Sequence, residues 1–255
     1  MKIGIMNNPS KSVYDEAVLC GKTGFDFLDL TIEGPGAADI DIAELKPILD
    51  TWELSVTGHT DPCLPYAYPV QGVRDACLKE LERCAGIFSA LGAEVMNIHP
   101  CYFCPPAMRK DLLSFHTESL PPIVDMAASY GLTIVLENYK APFDRVSVFK
   151  ELLAAVPGLK LHLDFGHSNF GMDGHGAFCR ELGGHIRHVH FSDNRGRLDD
   201  HMPLGVGTVN WQSAVDALKA AGYDSTITLE IFCNDPGMQH KYLNLSRELV
   251  RELWA

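Results

Sequence analysis

The 255-residue sequence predicts a single (β/α)8 barrel, α/β in class, with residues 1–255 forming one domain. Two observations carry that expectation. Short apolar runs that read as strands alternate eight times with helical patterns, and several helices hand over to the next strand through a glycine. Near-continuous apolar strands belong to a parallel sheet covered by helices, and eight such units close a barrel. No linker or low-complexity stretch divides the chain, and no close sequence repeat underlies the architectural one.

The strands are expected at KIGIM (2–6), FDFLDL (25–30), LSVTG (54–58), EVMNIH (94–99), TIVLEN (133–138), LKLHLDF (159–165), IRHVHF (186–191) and TITLEI (226–231). Between and after them, helices are expected over 12–24, 42–53, 72–91, 110–130, 145–156, 176–183, 211–221 and 239–253. In the first, Ser12 can cap the helix, Val13, Ala17 and Val18 form its apolar face, and Gly21 and Gly24 help to stop it. Ala214, Val215 and Leu218, closed by Ala221-Gly222, repeat that arrangement. Gly24, Gly92, Gly131, Gly158 and Gly222 would supply the left-handed residue that a helix–strand turn often needs.

Hydrophobic residues at 46% are enough for a substantial core, and 21% charged residues suit a globular enzyme. A net charge of −12 repels a phosphate backbone, which disfavours nucleic acid as a partner. No apolar run approaches the roughly 20 residues that span a bilayer. The start MKIGIMNNPS lacks the pattern of a secretory signal, and the eight cysteines are scattered, so a reducing cytoplasm is the expected setting.

Residues that can bind metal recur where the apolar runs end. His59 follows the third, His99 ends the fourth, Glu137-Asn138 the fifth, and Asp164 the sixth, with His167 just beyond; the seventh ends at His190 and the eighth carries Glu230. In a parallel barrel these ends share one rim, so residues distant in sequence converge. Taken alone, each has a plainer role: a histidine hydrogen-bonded in the core, or a carboxylate capping a helix. Together, Glu137, Asp164, His190 and Glu230 occupy four successive strands at one depth. A bare carboxylate in such an apolar setting is costly, and a bound cation removes the cost. Three anionic oxygen donors and one imidazole suit Mn, Mg or Co, with Zn also compatible. His59, His99, His167, Asp199 and His201 are further candidates for metal or substrate.

These segments resemble the xylose isomerase-like TIM-barrel superfamily over nearly the whole chain. The resemblance is carried by Asn97-Ile98-His99-Pro100, Leu136-Glu137-Asn138, Leu163-Asp164-Phe165-Gly166-His167, His188-Val189-His190-Phe191-Ser192-Asp193-Asn194, the segment from His201 to Gly207, and Leu229-Glu230. It implies a divalent-metal-dependent sugar or sugar-phosphate isomerase or epimerase, with no organic cofactor. Glu137, Asp164, His190 and Glu230 would be the metal ligands, Glu137 and Glu230 the opposed acid–base pair, and His167 a substrate-oxygen contact. Arg197 is a further substrate candidate near the superfamily's seventh-strand arginine, whose closest match here is Gly196. Proton transfer would run through an enediolate; a dehydratase of a polyol-derived ketone would begin with the same step. Such barrels often associate through helical faces, which keeps a homo-oligomer among the expectations.

Two other readings stand beside this one. Endonuclease IV, in the same superfamily, uses three zinc ions to cleave at abasic DNA sites. His59, His99, Glu137, Asp164, His167, His190, Asp199, His201 and Glu230 match its ligand positions. No basic, aromatic-interleaved loop suited to bending DNA accompanies them. A non-catalytic sugar-binding barrel is the third reading, although binding alone needs no opposed carboxylates. Lesser signals have bland explanations. Cys101-Tyr102-Phe103-Cys104 lacks a second pair and reads as loop packing near His99. Pro62 to Pro69 reads as a stiff rim loop whose tyrosines either pack or stack on a sugar. Gly205-Val206-Gly207 reads as a tight turn ahead of the helix at Trp211.

Overall fold

The structure, a computed structural model, describes every residue except Phe103, and Pro236 by its backbone alone. Eight parallel strands close a barrel: β1 (Lys2–Met6), β2 (Phe27–Ile32), β3 (Ser55–Thr60), β4 (Val95–Ile98), β5 (Thr133–Glu137), β6 (Lys160–Asp164), β7 (Ile186–Phe191) and β8 (Thr226–Leu229). The barrel shuts where β8 pairs with β1, from Lys2↔Thr226 to Ile5↔Leu229. Around it lie α1 (Val13–Lys22), α2 (Ile42–Thr51), α3 (Gln71–Ala90), α4 (Leu112–Ser129), α5 (Val146–Ala155), α6 (Phe165–Phe170), α7 (His175–Leu182), α8 (Trp211–Ala220) and α9 (Pro236–Trp254). No helix among the described residues is long and apolar enough to cross a membrane.

Local chemistry explains the elements. Ser12 Oγ accepts from the Asp15 amide at the start of α1, and Asn210 Oδ1 accepts from the Ser213 amide at the start of α8. The five turn glycines all have positive φ, between 73° and 90°. Gly21 departs from its expected role as a stop. It lies inside α1, where a Cβ would overlap the Trp52 side chain, so its smallness lets the end of α2 close on α1. Gly58 serves packing too, because a Cβ there would meet the Phe88 ring of α3 at 2.5 Å.

Several boundaries move by one to three residues from their expected places, the usual uncertainty of element ends. β2 begins late because Asp26 is a lead-in, its carboxylate accepting from the Ile3 amide at 2.8 Å. β3 runs on to Thr60 because Thr31 and Ile32 continue to pair with it. Consequently His99 and Glu230 sit one residue beyond their strands, while His190 precedes the last residue of β7. Glu230 is nonetheless tethered to the sheet, its amide donating to the Phe191 carbonyl at 3.1 Å. The short helix α6 was not expected. It forms because Asp164 caps it, accepting from the His167 amide at 2.5 Å, and one turn has no apolar periodicity to read.

Alternation along the strands divides the interior. Leu28, Leu30, Leu161, Leu163, Val189 and Phe191 join the apolar cluster beneath the helices. The residues between them, Asp29, His162, Asp164, His188 and His190, are buried in the lumen with Asn97 and Thr228. A lumen this polar holds only where its groups find partners, and most of them do.

Candidate active site

Every strand-end residue singled out from the sequence reaches one mouth of the barrel. His59, His99, His167, Asp199, His201 and Glu230 line a cavity of about 290 Å³ with Glu33, Tyr139 and Phe232. Glu137, Asp164 and His190 pack against these residues, Glu137 on His99 and His190 on Glu230, with one ligand atom from each of the three lying within 4.8 Å of the others. Arg197 is exposed and lies outside that lining. A roomier cavity of about 360 Å³ at the opposite end of the barrel, beside Met1, Arg187 and Asp224, lacks a comparable cluster.

Each candidate is held from below. Glu137 ends β5, where Asn97 Nδ2 donates to its Oε2 at 2.7 Å; His99 Nε2 and His162 Nδ1 lie 3.2 Å from the same oxygen. Its Oε1 faces His167 Nδ1 at 3.1 Å. Asp164 is fixed by Asn138, whose Oδ1 accepts from the Asp164 amide at 2.6 Å and whose Nδ2 donates to the Asp164 carbonyl at 3.0 Å. His190 Nδ1 lies 3.0 Å from Glu230 Oε2 and 3.8 Å from Asp164 Oδ2. On the rim, Asp199 Oδ2 joins two rings, His167 Nε2 at 2.9 Å and His201 Nε2 at 3.4 Å.

The loop carrying Asp199 and His201 is organised by Asp193. Its carboxylate accepts from the amides of Gly205 and Val209 and from Trp211 Nε1, at 2.9 to 3.1 Å. Gly207 must be glycine there, since a Cβ would overlap the Asn194 carbonyl and the Asp193 carboxylate. His201 takes a left-handed backbone, φ 45°, uncommon for a non-glycine residue. Its carbonyl accepts from the Phe232 amide at 3.3 Å, and its ring lies against the Phe232 ring, 5.2 Å between centroids.

The electrostatics are those of a cluster short of positive charge. Burial, reinforced by Glu137, Glu230 and Asp199, pushes the Asp164 carboxyl up to about 7 despite His167. Burial would also raise Glu137, but His99 and His162 outweigh it and hold that carboxyl well below its ordinary range. His190 shows the converse: burial would depress its imidazole, yet Glu230 and Asp29 hold it well above the usual value. Burial takes His99 down to about 4, and it also lowers His59. Three carboxylates and one imidazole, converging with one carboxyl unable to ionise freely, match the donor set of a hard divalent cation. Glu137, Asp164, His190 and Glu230 could hold one such ion; His59 and His99 beside Glu137 offer a second grouping.

Sequence reasoning missed Asp29, Glu33, Asn97, His162 and His188. A signal existed for some of them. His162 and His188 each lie two residues before an expected ligand, on the same lumen face. Glu33 follows β2 as Glu230 follows β8; burial and the neighbouring Asp61 and Glu230 raise its carboxyl to about 7. Of the lesser signals, Tyr66 is buried against His116, 5.5 Å between ring centroids, so the 62–69 loop gives Pro62 to the cavity rather than Tyr66. The cysteine-bearing segment includes Phe103, which lies outside the described residues; of its neighbours, Cys101 is buried, its amide donating to His116 Nε2 at 3.0 Å.

Known proteins are similar to this chain in sequence and in fold. An uncharacterised protein of Methanocaldococcus jannaschii is 32% identical over 155 residues, covering 55% of this chain and 51% of that protein. The chain thus spans about half the length of that relative. An L-ribulose 3-epimerase of a Methylomonas species is 26% identical over 231 residues, covering 84% of this chain and 76% of its own. Among solved structures, a D-tagatose 3-epimerase-like protein superposes with a TM-score of 0.86 at 25% identity, over 100% of both chains. Residues 18–253 match the sequence profile of the family described as Xylose isomerase-like TIM barrel. The chain belongs to that family.

Proposed function

We propose that this chain is a divalent-metal-dependent ketose isomerase or epimerase acting on an unphosphorylated monosaccharide, with the whole chain working as one domain. The observation that carries the reading is the convergence of Glu137 and Glu230 on Asp164 and His190 from strands three apart around the rim. Two carboxylates approaching one small cavity from different sides can serve the two faces of a carbon between them. The epimerase activity in the name of the Methylomonas relative points the same way.

When bound, a divalent cation would polarise the ketose carbonyl and the neighbouring hydroxyl, lowering the cost of removing the intervening proton. Glu137, Asp164, His190 and Glu230 would hold it. One glutamate takes the proton α to the carbonyl, giving an enediolate, and the other returns a proton from the opposite face. Asn97 holds Glu137 Oε2, and His167 Nδ1 lies 3.1 Å from Oε1. His167, anchored at Nδ1 to the Asn138 carbonyl at 2.8 Å, turns its other edge toward the cavity and Asp199, where a substrate oxygen can be met. At about 290 Å³ the cavity is at the small end for ligand sites and suits a monosaccharide. Glu33, Asp199 and Glu230 line it, with no Lys or Arg among its lining residues, so a phosphate would meet carboxylates.

Metal-replete protein in deuterated solvent, given a panel of ketopentoses and ketohexoses and their phosphates, tests this. Deuterium should enter the carbon next to the carbonyl of a free ketose, with the phosphate ester at least tenfold slower. No exchange anywhere in the panel would reject the reading.

A second reading has one observation behind it. Six of the nine residues matched to endonuclease IV line this cavity and the other three, Glu137, Asp164 and His190, cluster beside them, and zinc-dependent phosphodiester cleavage would use such a set. The net charge of −12 and the acidic lining oppose it. Nicking of an abasic duplex with about three zinc ions per chain would favour it over the epimerase.

A further inference from the structure

A further carboxylate is sealed into the barrel beneath the four candidate ligands. Asp29 stands in the middle of β2 with its side chain in the lumen, fully buried. Its Oδ2 accepts three hydrogen bonds, from His190 Nε2 at 2.7 Å, Thr228 Oγ1 at 2.7 Å and His188 Nε2 at 3.0 Å. One side chain thereby ties β2 to β7 and β8 across the lumen. Its other oxygen has no hydrogen-bond partner and lies 3.9 Å from His59 Nδ1.

The geometry at His190 makes this more than a tie. A neutral imidazole carries one N–H, and the nitrogen that keeps it is set by what the ring's edges meet. Nε2 meets Asp29, which can only accept, and Nδ1 meets Glu230 Oε2 at 3.0 Å with Asp164 Oδ2 at 3.8 Å. A cation held among Glu230, Asp164 and this ring would take the Nδ1 lone pair, and the one remaining hydrogen would stay on Nε2 against Asp29. Thr228 and His188 would be satisfied by any neutral acceptor. A buried anion is an expensive choice for them, and one of its two shortest contacts goes to the imidazole that reaches the ligand cluster.

We infer that Asp29 is the positioning residue of the metal centre: it fixes the His190 tautomer, makes Nδ1 the metal-binding nitrogen, and strengthens that nitrogen as a donor. Outer carboxylates acting through a ligating histidine commonly change metal affinity by 10- to 100-fold. The inference rests on the metal-dependent reading above and adds to it a residue that touches neither metal nor substrate.

The test compares zinc affinity, by competition with a chromogenic chelator, for the intact protein, Asp29→Asn and Glu230→Gln, with metal-free melting temperatures alongside. Asp29→Asn keeps the shape and an accepting oxygen but loses the charge, and it should bind zinc roughly 10- to 100-fold more weakly. Because that variant can also lose folding stability, a second measurement uses the unaltered chain. Long-range proton–nitrogen NMR of the zinc-loaded protein should show His190 bound through Nδ1 with a slowly exchanging hydrogen on Nε2. Zinc on Nε2, or Asp29→Asn binding within threefold of the parent while Glu230→Gln does not, overturns the inference and leaves the metal centre standing. No zinc binding by the parent chain removes both.

Discussion

Replacing Glu137 and Glu230 one at a time by glutamine separates two roles that a single loss of activity would confuse. Each exchange keeps the side chain's length and removes one of the three negative charges among Glu137, Asp164, His190 and Glu230. Metal affinity should therefore fall in both variants, and the assay must run at saturating metal with the content measured. What remains is the loss of a proton carrier, worth roughly 10²- to 10⁴-fold in rate, or about 3–5 kcal/mol on the barrier. Glu137 and Glu230 approach from β5 and β8, so the losses should be complementary. In Glu230→Gln, the surviving Glu137 still removes the proton from one epimer and returns it to the same face; Glu137→Gln does so for the other epimer. Proton NMR in deuterated solvent, started separately from each epimer, should show one-sided exchange with epimerisation abolished. Either metal-loaded variant epimerising within tenfold of the parent, or both exchanging only the same epimer, refutes the opposed-carboxylate reasoning.

Metal itself should stabilise the fold. At a free concentration 100 times its dissociation constant, Mn, Co, Zn or Mg adds about 2.7 kcal/mol. Thermal melting should then rise by roughly 5–10 °C over the chelator-treated protein; no shift with any of them contradicts a folded-state site. His116 is buried away from the centre, with burial holding its imidazole down at about 4 against an ordinary 6.5. The folded state resists the proton that the unfolded chain takes up, so its contribution is present above pH 6.5 and lost as the pH falls toward 4. Metal-free urea melts should show the parent losing about 3 kcal/mol more than His116→Gln over that window; parallel losses would deny it. Gly207→Ala forces a Cβ into the Asp193 turn. It should cost ~1–3 kcal/mol and weaken activity through the displaced Asp199 and His201; an unchanged melting temperature would show that the loop is not held this tightly.

The barrel was legible because its signal is repeated. Apolar strands such as TIVLE and TITLE recur between helical patterns, and glycines such as Gly131 and Gly222 mark the turns. The rim of the site was legible for a related reason: a charged or imidazole side chain closing an apolar run has few cheap explanations. The layer beneath was not. Asp29 sits inside a strand and meets His188, His190 and Thr228 from 159 to 199 residues away, partners that only closure and register bring together. Asn97 is likewise set against Glu137 by the β4–β5 pairing. α6 escaped notice because Asp164, read as a ligand, is also its cap. The region after His190 has no strand or helix period to place its side chains, and there Asp199 and His201 line the cavity while Arg197 is not among its lining residues.

A metal-loaded crystal structure with a free ketose tests the central claim most directly. It should show one divalent ion on Glu137, Asp164, His190 Nδ1 and Glu230. The ketose carbonyl and adjacent hydroxyl should lie on that ion, with the carbon to be deprotonated between the two glutamates. An ion held instead by the His59–His99 side of Glu137, or a sugar carbon with both carboxylates on one face, would contradict it.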